Sequence, residues 1–96
     1  MTLERTIENA LIRESRRRDV LCLKLAPGNL RGFPDRTLLA DGLVCFVEVK
    51  RPTGGRLSEH QKVWKTILEE NGFQVFICRT QDEAKQIVER FKDGRS

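Results

Sequence analysis

RTLLADGLVCFVEVK, residues 36–50, decides the fold. Two apolar, strand-forming runs flank Asp41-Gly42, a dipeptide that tolerates the positive φ angles of a two-residue type I′ turn. The stretch therefore predicts a hairpin of strands 36–40 and 43–50. With only Asp41 and Gly42 in the turn, Ala40 pairs with Leu43, and each step outward pairs the next residues on either side. Carried to its end, that register sets Asp35 opposite Glu48.

Opposed residues hold their Cβ atoms about 4.5 to 5.5 Å apart on one face, so two unscreened carboxylates there repel. A divalent cation between them removes the conflict. Mg²⁺ takes oxygen ligands, commonly one or two carboxylates, and fills its other positions with water and phosphate oxygens. Strand alternation sends Val44, Phe46, Glu48 and Lys50 to one face and Cys45, Val47 and Val49 to the other, so Lys50 joins the acids. Two acids, a metal and an ammonium suit phosphodiester chemistry. The metal polarises a phosphoryl oxygen and lowers the pKa of water, while the lysine orients that water or stabilises charge on the phosphate. A plainer arrangement uses the same residues: Lys50 neutralises Glu48, Asp35 caps the strand after Pro34, and all three are solvated at a sheet edge. Against it, Glu48 lies inside the apolar run 43–49, where an unpaired charge is disfavoured.

Outward from the hairpin, residues 2–17 predict a helix capped by Thr2, with Leu3, Ile7, Ala10 and Leu11 on one face. After Asp19, the residues Val20, Cys22, Leu23 and Leu25 suggest a first strand, broken by Pro27, Gly28 and Asn29, and a loop follows over 30–34. Beyond the hairpin, RPTGGRL is a flexible basic loop, and Ser58 opens a helix to about residue 70 with an apolar stripe of Val63, Trp64, Ile67 and Leu68. Asn71-Gly72 ends it. Residues 73–78 form a short strand, parallel to 43–50 because a helix connects them. Residues 81–92 form a last amphipathic helix with Ala84, Ile87, Val88 and Phe91 inward, and the DGRS tail frays. The order is α-β-β-β-α-β-α, a mixed α/β class with a mixed sheet, in one domain over 1–96.

The 96 residues leave room for one modest core. Eighteen Lys and Arg against fourteen Asp and Glu give a formal charge of +4, which favours polyanionic partners without identifying one. Three widely spaced cysteines in apolar runs suggest buried thiols in a reducing cytoplasm, not a disulfide framework or zinc knuckle. MTLERTIENA lacks the apolar core of a secretion signal, and no run approaches the roughly 20 apolar residues of a membrane span. The expectation is a cytoplasmic protein, bacterial or in a phage-infected cell, neither exported nor membrane-bound.

Taken together, Gly32-x-Pro34-Asp35, then Glu48-Val49-Lys50 with a basic Pro-Gly loop after it, Ser58-x-x-Gln61, and Ile7-Glu8 on the first helix resemble the VRR-NUC family in its compact stand-alone form. That family belongs to the PD-(D/E)XK nuclease superfamily, whose restriction-endonuclease-like αβββαβα core matches the order of elements. The resemblance covers nearly the whole chain. It implies a metal-dependent DNA endonuclease in which Asp35 and Glu48 hold Mg²⁺ or Mn²⁺, the Val49 carbonyl adds a ligand, and Lys50 is the catalytic lysine. Glu8 would be the helix acid that reaches the metal, Gln61 would lie by the active site, and Lys24 would be the lysine near the first strand. Stand-alone members resemble homodimers acting on branched DNA such as four-way (Holliday) junctions, the substrates of DNA repair and recombination.

Several of these residues have a second, plainer role open to them. Glu8 beside Leu11 and Ile12 fits a solvated helix acid, and Lys24 fits a surface lysine. Ser58-Glu59-His60-Gln61 is a capping box in its own right, and His60, the sole histidine, fits a solvated surface position. Arg51 and Arg56 in the basic loop are candidates for phosphate contact, as is the run Arg16-Arg17-Arg18, although a solvated helix end accounts for the latter equally well. No base-reading motif is present in these residues, which leaves shape as the cue. Flaps, nicks or free ends as substrates, or a non-catalytic DNA-binding module on the same scaffold, are the alternatives. An intact Asp35, Glu48 and Lys50 argues against the last.

Overall fold

The computed structural model describes residues 2–25 and 28–94, in the order α1 (Leu3–Arg17), β1 (Leu21–Leu23), β2 (Arg36–Ala40), β3 (Leu43–Val49), α2 (Glu59–Glu70), β4 (Gln74–Cys78) and α3 (Gln81–Asp93). The expected break at Pro27 and the last two residues of the tail lie outside the described residues. The four strands form one sheet in the order β1-β2-β3-β4. The β1–β2 and β2–β3 pairs are antiparallel, and β3–β4 is parallel across the α2 connection.

The hairpin has the predicted register. Asp41 and Gly42 take φ of 54° and 79°, and pairs run from Ala40↔Leu43 to Arg36↔Val47. The ladder stops one step short of Asp35 and Glu48.

The sheet has two unlike faces. Leu38, Cys45, Val47 and Val49 point to one of them, where α1 contributes Ile7, Ala10 and Leu11 and α3 contributes Ala84, Ile87, Val88 and Phe91, all buried. Phe46 points to the other. It meets Phe33 and Phe73 edge to face at ring distances of 5.6 and 5.7 Å, and Phe33 in turn meets Trp64 of α2 at 5.2 Å.

Several sequence expectations need adjustment. Leu3 is exposed, and the buried stripe of α1 begins at Ile7. The first strand is short: Val20 is buried ahead of it, and Leu25 lies beyond it and is exposed. Strand β3 ends at Val49, with Lys50 just outside, and Phe73 precedes β4. On α2 only Leu68 is fully buried, while Val63 and Ile67 of the expected inward stripe are exposed. The thiols are all free. Cys45 and Cys78 are buried and pushed up to about 12, chiefly by desolvation, while Cys22 is half-buried and raised for the same reason. Among the described residues, no helix is long and apolar enough to cross a membrane.

Candidate active site

Asp35 sits at the point where the β2–β3 ladder gives out. Continuing the register would set Pro34 opposite Val49; instead the Asp35 carboxylate accepts the Val49 N–H at 2.7 Å. A strand residue directs its N–H and C=O toward the same neighbour. The Val49 carbonyl is therefore on the Asp35 side of β3 as well. The next amide, that of Lys50, points the other way and donates to the Cys78 carbonyl at 2.9 Å.

Glu48 lies between them on the Phe46 face and is only 3% exposed. Burial, the neighbouring Asp35 charge and a hydrogen bond with the Asp35 carboxyl push its pKa up to about 8. The Lys50 ammonium, 3.9 Å from Glu48 Oε2, opposes that rise without cancelling it. Metal-free, Glu48 therefore keeps its proton near neutral pH. The donors gathered here are all oxygens, two carboxylates and a carbonyl, a set that fits a hard divalent cation such as Mg²⁺ or Mn²⁺.

Gln61 serves two purposes at once. Its Oε1 accepts the Ser58 N–H at 2.8 Å while Ser58 Oγ accepts the Gln61 N–H at 3.1 Å, closing the capping box. Its Nε2 then donates to Glu48 Oε2 at 2.9 Å. The start of α2 is thus fastened to the acid pair. Gly32 permits that approach: a Cβ there would meet the His60 main-chain carbon at 2.5 Å, and its φ of +86° already disfavours a side chain. The loop carrying Pro34-Asp35 consequently packs directly on the first turn of α2, and His60 is exposed above it.

The geometry does not bring Glu8 to this group. Arg36, one residue after Asp35, points to the opposite face, and its Nε donates to Glu8 Oε2 at 2.7 Å in a largely buried ion pair. The α1 acid whose charge acts on Glu48 is Glu4, one turn earlier. The signal for it was present in Glu4-x-x-Ile7-x-x-x-Leu11-x-x-x-Ser15, a helical stripe that is buried from Ile7 onward and has Glu4 at its open end. Among the described residues, no cluster of three or more His, Cys, Asp and Glu could hold a metal. The two carboxylates and main-chain carbonyl stand as the compact donor set.

Lys24, Arg51 and Arg56 are exposed at this same end of the sheet. The arginine run at the end of α1 is partly neutralised. Arg18 pairs with Asp93 through two 2.7 Å hydrogen bonds, and Arg17 pairs with Glu14 at 3.1 Å.

A mixed sheet that gathers two acids and a lysine at one end fits a nuclease-type α/β domain. The sequence model of the VRR-NUC domain matches residues 2–82, and the chain belongs to that family. A solved structure titled "VRR_NUC domain" superposes with a TM-score of 0.85 at 23% identity, over 95% of this chain and 99% of that one, which shows the shared fold. No curated protein matches the chain.

Proposed function

We propose that this protein is a metal-dependent, structure-selective DNA endonuclease that hydrolyses phosphodiester bonds in branched DNA, four-way junctions among them, as a homodimer. The observation that carries the chemistry is buried Glu48 beside an Asp35 carboxylate anchored on the Val49 N–H at 2.7 Å, with the Lys50 ammonium 3.9 Å from Glu48. Buried like charges are costly unless a cation joins them.

Asp35, Glu48 and the Val49 carbonyl would hold Mg²⁺ or Mn²⁺, and Glu4, whose charge acts on Glu48, would add negative potential from α1. When bound, the ion supplies Lewis acidity to the phosphoryl oxygen and makes water more acidic. Lys50 orients the attacking water or stabilises charge building on the phosphate. Gln61 holds Glu48 Oε2 through its amide and so keeps that carboxylate aimed. Lys24, Arg51 and Arg56 face backbone phosphates at the sheet end, an electrostatic grip that is independent of sequence.

Branched DNA suits a domain that carries no base-reading motif in its 96 residues. The homodimer is supported by the exposed apolar residues Val63 and Ile67 on the outer side of α2. A two-fold pair would present two sites for symmetric nicks.

The test is cleavage of labelled four-way junction, flap and linear duplex with Mg²⁺ or Mn²⁺, beside Glu48→Ala, Lys50→Ala and a chelator control. Wild type is expected to cut the junction, and each substitution to slow cutting by about 100-fold or more. A wild type that cuts none of them, or variants that cut as well as wild type, would sink the nuclease. Faster cutting of flaps or ends than of junctions would replace the substrate and leave the chemistry standing.

A further inference from the structure

Arg79 follows β4 at the end of the sheet where Lys50 leaves β3, and the pair Val49↔Cys78 fixes the two exits side by side. Its guanidinium turns back over the chain after β3. One nitrogen, Nη1, donates to the Gly55 carbonyl at 2.6 Å and to the Arg51 carbonyl at 3.2 Å. These carbonyls lie near the two ends of the basic loop, so a single side chain closes it. Within the loop, Arg51 Nε donates to the Thr53 carbonyl at 3.0 Å. The closure is tight: a Cβ on Gly55 would lie 2.9 Å from the Arg51 carbonyl oxygen and 3.1 Å from its nitrogen. Arg79 is itself held, half-buried, with its N–H donating to Glu83 Oε1 at 2.6 Å.

The expectation of a flexible basic loop therefore meets a loop already tied in one shape. Arg51 and Arg56 remain exposed on it, immediately beyond Lys50. We propose that Arg79 is a positioning residue that fixes the 51–56 loop so that Arg51 and Arg56 meet DNA backbone phosphates beside Lys50. The proposal rests on the nuclease function given above. Holding the loop before DNA arrives removes the ordering cost that a loose loop meets on binding. The effect belongs to binding and not to the chemical step.

The test measures binding of fluorescent four-way junction across a salt series, with Ca²⁺ in place of Mg²⁺, for wild type, Arg79→Ala, Gly55→Ala, Arg56→Ala and the Arg56→Ala, Arg79→Ala double variant. Thermal unfolding of each variant accompanies it, and KM and kcat are measured with Mg²⁺. If the loop delivers two phosphate contacts, Arg79→Ala makes the slope of log affinity against log salt shallower by about 1.8 and weakens binding on the order of tenfold at about 0.15 M salt. Gly55→Ala does the same with no change in charge, which separates loop shape from the loss of a cation. KM rises while kcat at saturating DNA holds, and Arg56→Ala costs much less once Arg79 is gone.

A wild-type affinity and salt slope in both Arg79→Ala and Gly55→Ala would overturn the proposal. So would an Arg56→Ala cost that is equal in the two backgrounds, since Arg79 would then be an independent phosphate ligand. Either result leaves the nuclease function intact. A wild type that neither binds nor cuts DNA overturns both.

Discussion

The two faces of the sheet are built to different standards. Against α1 and α3, Leu11, Leu38, Val47 and Val88 are fully shielded from solvent. Against α2, contact rests on an edge-to-face chain from Trp64 through Phe33 and Phe46 to Phe73, and Val63 and Ile67 of the helix are 55% and 39% exposed. The acids lie at the end of this thinner face. Burying Glu48 beside Asp35 opposes folding in the absence of a cation, and the dense face supplies the margin that tolerates it. Stability and chemistry are thus separated by the thickness of one sheet.

The sharpest way to break that contrast is to cut the dense face. Leu38→Ala removes a side chain with no exposed surface from the middle of the sheet, and is expected to lower the unfolding free energy by about 2 to 5 kcal/mol. Urea denaturation measures it. A cost below about 1 kcal/mol, the range of well-tolerated changes, would show that the core is not where the burial places it.

A smaller effect, opposite in sign, is expected from Glu48. Unfolded, its carboxyl titrates near the ordinary 4.5; folded and metal-free, it keeps its proton to about 8. Between those values the native state binds more protons than the unfolded chain, so this group's contribution to stability falls as pH rises through the window and levels off above it. Glu48→Gln removes that fall. In chelator, the variant should gain on wild type as pH goes from about 5 to about 8.5, by on the order of 2 kcal/mol, a value below the full linkage of the shift. Parallel stability curves for the two proteins would mean that Glu48 is not held protonated. Because ligation requires the carboxylate, Mg²⁺ should stabilise wild type more at the upper end of this range than at the lower.

The register of the hairpin was legible in the sequence because Asp41-Gly42 favours a two-residue turn, and period-two alternation then sets Glu48 on the Phe46 face, although the ladder itself ends one step short of the acids. The capping box was legible too, since it is local. Its second contact, Gln61 to Glu48, depends on how closely α2 approaches the Asp35 loop, a distance that Gly32 controls from far along the chain. The choice between Glu4 and Glu8 turned on the rotation of α1 about its axis. Ser15, a polar residue buried at 0% exposure, belongs to the stripe that sets that rotation but does not look like part of it. The Arg36 partner of Glu8 and the Arg79 tie to the 51–56 loop join residues 28 apart in sequence, beyond the reach of any periodicity. Periodicity likewise reports that α2 has an apolar stripe and is silent on what covers it.

That last point yields the smallest expected effect and the one that most sharpens the contrast. In an isolated copy, Val63 at 55% exposure has little packing to lose, and Val63→Ala should change stability by no more than about 0.5 kcal/mol. Beside Leu38→Ala it is the matched control for the other face. In a homodimer joined through α2, the same methyl groups would be buried between copies. The cost would then exceed that of a surface change and grow with protein concentration, since association stabilises the folded state by mass action. Unfolding measured at two concentrations about a hundredfold apart separates the cases. A small cost at both, in a protein whose light-scattering mass is that of a dimer, would put the dimer contact elsewhere on the molecule and leave the α2 face thin in solution as well.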